Sequence, residues 1–260
     1  MGDILKENQA DLSASEIRTT NRIDFSDYQG NFLSISIKSI ITVLYALTTL
    51  FVVLSLAGQI YRFYFNNGEE RYLTRMLNLD DEINFPTYFS SFLLLCSSVT
   101  FLLIAVVKRK IKDKFSLNWY ILSFIFLFMS MDEILSLHEQ FSAPIRGVMH
   151  TSGFFYFAWL VPAIISLLVF IVFNIKFFFN MSRKFQKLFF SSAMIYLFGA
   201  FGMEMIGGQF LSSYGQDNFG YAIITTIEET LELSGLILLL YTLLLFIKSE
   251  LPNLSLKLDK

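Results

Sequence analysis

Apolar residues in this chain come in long blocks with few polar interruptions, rather than at the three-to-four-residue spacing of a soluble amphipathic helix. A bilayer core of about 30 Å asks for about 20 apolar residues per helix. Six stretches meet that length: about 36–58, 86–107, 115–138, 154–179, 188–208 and 221–247. The pattern predicts an all-α fold, a polytopic membrane bundle of six transmembrane helices over residues 36–247. A polar cytoplasmic segment, 1–35, precedes it and a short cytoplasmic tail, 248–260, follows.

Composition agrees with that pattern and narrows the class. The 260 residues are 54% hydrophobic and 16% charged, with mean hydropathy +0.55, whereas soluble domains carry about 25% charged residues. A net charge of −2 and a pI near 5.7 exclude a basic nucleic-acid binder. Cys96 is the one cysteine, so a disulfide framework and any C-x-x-C motif are excluded. Residues 1–30 are polar, which leaves the first span to act as its own uncleaved insertion signal.

Orientation follows from Lys and Arg in the connecting segments. With the N-terminus inside, 16 lie on the inner side and four outside, namely Arg62, Arg71, Arg75 and Arg146. Both termini are therefore expected in the cytoplasm. Between the first two spans, Tyr72, Leu73, Met76 and Leu77 alternate with Glu69, Glu70, Arg71 and Arg75 at helical spacing, which predicts an interfacial amphipathic helix over about 69–79. Asp80, Asp81 and Glu82 follow just before Pro86 and read as an N-terminal cap and interface anchor for the second span.

The chemistry sits in acids at the span ends. The third span closes on Asp132-Glu133 and His138-Glu139, the fifth holds Glu204 near its end, and the sixth opens with Glu228, Glu229 and Glu232. Given the alternating directions of the spans, all seven carboxylates fall at one depth near the outer boundary. At 100° per residue Asp132, Ser136 and Glu139 share one helix face, and Glu228 and Glu232 share another. Gly199, Gly202, Gly207, Gly208 and Gly235 provide small surfaces for close helix approach. The adjoining cationic groups are Arg146, His138 and His150, so protons, a metal ion or a cationic substrate must balance the charge. Solvation of some of these acids in the headgroup zone is the structural alternative.

No H-E-x-x-H, E-x-x-H, P-loop or G-x-S-x-G motif occurs, and no Lys precedes Lys248 on the last span. The strings D-E-x-x-x-x-H-E at 132–139 and E-E-x-x-E-x-x-G at 228–235, with the span layout, resemble an uncharacterised group of bacterial multi-pass membrane proteins. The resemblance implies residence in a bacterial inner membrane and no particular activity. From the residues, the first expectation is a divalent-metal site for Zn, Mn or Fe. Its ligands would be Asp132, His138, Glu204, Glu228 and Glu232, with Glu139 a further ligand or the general base. Such a site suits a hydrolase or oxidase acting on lipid or a small molecule reached through the bilayer. A proton- or cation-coupled transporter is the alternative, weakened by the lack of any charge at mid-membrane. A structural or assembly protein is the third. Oligomeric state and substrate are not readable from the chain.

Overall fold

The computed structural model describes residues 36–66, 68–69, 71–215 and 217–251. The N-terminal segment 1–35 and the tail beyond residue 251 lie outside the described residues. Among the latter there is no strand, and six helices are long and apolar enough to cross a membrane. The protein is a multi-pass membrane protein. The first four spans are α1 (Ile37–Phe65), α3 (Phe85–Lys110), α4 (Ser116–Leu135) and α6 (Leu160–Phe179). The fifth is one rod of α7 (Arg183–Leu197), a π-helical turn (Phe198–Met203) and α8 (Glu204–Tyr214). The sixth is α9 (Phe219–Glu250), 32 residues long.

Helix α9 is the axis of the bundle and packs on α1, α3, α7, the π turn and α8. Its buried stripe includes Leu233, Leu236, Ile237, Leu240 and Leu243. Outward faces of α1, α3 and α6 present large apolar side chains such as Val53, Phe92 and Phe173, as expected where lipid replaces water as solvent. Helices α3 and α4 form the tightest pair, and serines explain why. Ser91 and Ser130 each donate to the other's carbonyl at 2.8 and 2.9 Å, and Ser98 and Ser123 repeat the exchange one heptad on at 2.7 and 3.0 Å. Small residues let the backbones approach, and the reciprocal bonds satisfy hydroxyls that lipid cannot.

Two connections depart from the sequence expectation. The interfacial helix expected over 69–79 is one turn, α2 (Tyr72–Arg75). Its continuation is diverted by Asn84, whose side-chain amide donates to the carbonyls of Arg75, Asn78 and Asp81 at 3.3, 2.5 and 2.7 Å. Carbonyls held there cannot all serve an α-helical ladder. Asn84 also accepts from the Thr87 amide at 3.0 Å and is the cap of α3. The cap expected among Asp80, Asp81 and Glu82 is thereby corrected: Asn84 caps α3, and the three acids precede it on the connection.

The third span ends at Leu135 instead of about 138, because Ser136 turns into the left-handed region (φ 49°, ψ 41°). A separate amphipathic helix, α5 (Leu137–Met149), starts there, and a 3-10 turn (Gly153–Phe155) leads to α6. Asp132 and Glu139 consequently lie on two helices, not on one face of one helix. Helix α6 touches α4 mainly near one end, where Trp119 meets Phe177 with ring centroids 5.0 Å apart. Side chains pin it near its two ends: Asn118 donates to Asn174 at 2.9 Å, and the Trp159 indole just before it donates to Glu204 at 3.1 Å. Between those pins lies open space.

Candidate functional site

That space is a cavity of about 1110 Å³ between α4, α6, α7 and α9, and it runs from the acid-bearing end to Phe177 and Met181 at the other. All seven acids expected at the outer boundary line it: Asp132, Glu133, Glu139, Glu204, Glu228, Glu229 and Glu232. His138 lines it too. Asp80, Asp81 and Glu82 join them from the α2–α3 connection. Arg146 and His150 are not among the lining residues. Arg146 lies over the Tyr156 ring at 4.2 Å, and His150 ends α5 in a left-handed conformation.

Helix lengths indicate how deep the acids sit. A 32-residue helix is about 48 Å long, roughly 9 Å longer at each end than a 30 Å hydrocarbon core. Glu228 is the tenth residue of α9 and Glu232 the fourteenth, which puts them roughly 5 to 11 Å inside the boundary of a centred helix. Glu228 is also buried, with 8% of its surface exposed. Carboxylates at such a depth require partners.

Polar neighbours stand beside the deep ones. Trp159 donates to Glu204 at 3.1 Å, and Glu204 lies beside Glu228, Tyr196 beside Glu232 and Ser90 beside Glu133. The π turn brings this about geometrically. A Cβ at Gly199, within the turn, would lie 2.8 Å from Glu232 Cγ and 2.9 Å from the Glu228 carbonyl oxygen, so only glycine lets α9's acids pass there. Gly235 does the same on the opposite partner, where a Cβ would meet the Tyr196 nitrogen at 2.6 Å. Single-turn π insertions of this kind recur at functional sites.

At the mouth, the turn at Ser136 folds α5 back onto the end of α4. Asp132 takes the His138 backbone amide on Oδ1 at 3.0 Å and the His138 imidazole Nδ1 on Oδ2 at 2.8 Å. Trp159 packs beside the ring, centroids 4.9 Å apart. Both ring position and tautomer are thus fixed, and Nε2 is the nitrogen left for a ligand. Burial opposes charge on the imidazole, but the bond to Asp132 and the carboxylates of Asp132, Glu204 and Glu139 outweigh it and raise its pKa to about 9. Glu139 is raised by burial first and by Glu82 second.

Glu82, His138 and Glu139 each offer a ligand atom, and these atoms lie within 4.8 Å of one another; no other such group of three occurs among the described residues. Glu82 Oε2 is buried with no hydrogen-bond partner. Of the residues expected from sequence, His138 and Glu139 belong to this trio. Asp132 bonds His138, Glu204 accepts from Trp159, and Glu228 and Glu232 line the cavity outside the trio. Glu82 was missed, because acids just ahead of a helix read as caps. Its signal was the run of three acids, one more than a cap uses.

Residues 43–246 match the family model described as a domain of unknown function (DUF8692). The chain belongs to that family. No curated protein and no solved structure matches it. The match spans Glu82, Asp132, His138, Glu139 and the α9 acids alike, so the whole cavity mouth is part of the DUF8692 domain and not an addition to it.

Proposed function

We propose that the protein is a metal-dependent enzyme of the bacterial inner membrane, with both termini cytoplasmic, that hydrolyses a membrane lipid at the outer leaflet. The observation that carries this is the convergence of Glu82, His138 and Glu139 at the acid-rich mouth of a cavity whose far end is lined mainly by apolar side chains. Two carboxylates and one imidazole, backed by a carboxylate on the other ring nitrogen, suit Zn, Mn or Fe. A divalent ion there would polarise a carbonyl or phosphoryl oxygen and activate water. Glu204, one tryptophan away from His138, is the carboxylate placed to take the proton released. Asp132 is a positioning residue.

Transport is the weaker reading. Beyond the acid layer the polar lining residues are Tyr196, Ser166, Asn174, Ser192 and Trp119, and the serines and the asparagine already bond within their own helix or to a neighbouring one: Ser166 to Pro162, Asn174 to Phe170 and Asn118, Ser192 to Phe189. A conducting route for cations would need groups with spare valence along that length.

The test is hydrolysis of lipid extract by purified protein, metal-loaded and chelated, with products resolved by mass spectrometry. Turnover that needs the ion and is lost in Glu204→Gln supports the proposal. Metal-loaded protein that turns over no lipid class, yet carries a cation across a sealed vesicle, overturns it in favour of transport.

A further inference from the structure

The cavity's charge and shape also select a substrate class, resting on the lipid reading above. It has ten Asp and Glu side chains among its lining residues, one His, and no Lys or Arg. Lipids with phosphate or carboxylate heads are ordinarily held by Arg, Lys or backbone amides, and nothing cationic but His138 is in place for them. A bound dication would engage the trio at the mouth and leave the other carboxyl groups as acceptors for the N–H groups of an ammonium head. The head that fits is a cation.

The tail has its own compartment. From Asp132 to Trp119 the wall descends thirteen residues of α4, about 20 Å, against about 15 Å for the chains of one leaflet. Along it the lining is apolar, with Phe126, Met129, Ala163, Phe170 and Ala193 facing the space. Several lining residues are simultaneously exposed on the outer surface: Phe128 at 53%, Phe190 at 57% and Met194 at 51%. The cavity therefore opens sideways, at a level where a membrane-spanning helix meets lipid, and a chain can enter without leaving the bilayer.

We infer that the site takes a long-chain amphiphile with a positively charged amine or ammonium head, the head among the acids and the chain between α4, α6 and α7. Both tryptophans of the chain, Trp159 at the acid end and Trp119 at the far end, line the cavity, and they report occupancy separately. The probes are hexadecylamine, hexadecyl phosphate and hexadecanoic acid, each with bromine near the chain terminus as a contact quencher. They are added to the full chain in an uncharged detergent, metal-loaded and chelated. The amine should quench saturably and bind about tenfold or more tighter than either anion. Quenching should fall mainly on Trp119, read in Trp159→Phe. Ala193→Phe, which fills the tail compartment and leaves the acids untouched, should abolish it.

Equal or tighter binding of the phosphate overturns the head assignment, and so does saturable quenching by none of the three. If the phosphate binds only when metal is loaded, the head assignment falls and the metal reading stands. If the amine binds and no metal does, the metal reading falls and this one stands.

Discussion

At the residue scale, Glu82 is the position where the account is most exposed, because a buried carboxylate oxygen without a partner costs about 1–3 kcal/mol or more for a charged group. Glu82→Gln should therefore melt at or above the wild-type temperature when both are metal-free. On addition of Zn, Mn or Fe the order should reverse, since an ion at a hundred times its Kd stabilises the wild type by about 2.7 kcal/mol and the variant has lost a ligand. Parallel melts with and without chelator check this, and an order that does not change with metal contradicts it. Asp132→Asn should leave the fold intact and weaken metal affinity about 10- to 100-fold, the usual effect of losing the carboxylate behind a ligating histidine; titration calorimetry reads it. Glu228→Gln removes no member of the trio and should retain the ion.

At the element scale, the crossing of α7 and α9 and the loop before α3 carry the site. Gly235→Ala places a Cβ against the Tyr196 backbone, where no flexible side chain can yield. About 1–3 kcal/mol of destabilisation is expected for such overpacking, together with loss of the Tyr196–Glu232 contact. Gly147→Ala in α5, where nothing lies within 4 Å, should be silent or gain about 0.5–1 kcal/mol. Thermal melts of the two variants side by side decide whether close approach, and not glycine content, matters. Asn84→Ala releases three loop carbonyls and the cap of α3, and should lower both stability and metal affinity because Glu82 rides on that loop; a variant that melts early yet binds metal as tightly as wild type would separate the loop from the site.

These elements also mark where sequence reading stops. The six spans were legible because lipid solvation demands apolar blocks of fixed length, and the expectation that Asp132, Glu204 and Glu228 gather agrees with their lining one cavity. Helix α5 was not read, although Leu137, Phe141, Ile145 and Val148 carry its period, since it is short and lies against a longer apolar block. The ligand trio was not legible because it depends on Ser136 leaving the helical region and on Asn84 holding a loop 50 residues away in sequence. Neither effect has a periodic signature.

At the scale of the whole molecule, orientation and site chemistry are coupled. In the proposed orientation the acids of α4 and α9 and Glu204 at the start of α8 lie toward the outer side, and the Lys- and Arg-rich connections stay cytoplasmic. A reporter active only in the periplasm, fused after the last residue, should give no signal, and a strong signal would place the cavity mouth at the cytoplasmic face instead. In the proposed site the ion would be held by residues from two separate elements, Glu82 before α3 and His138 and Glu139 on α5, with Asp132 of α4 holding the histidine. Elemental analysis of detergent-purified protein tests that most directly. The account predicts a stoichiometric divalent ion in the wild type and in Glu228→Gln, and none in Glu82→Gln or His138→Ala; wild-type protein that holds no ion, even after incubation with Zn, Mn or Fe, would contradict it.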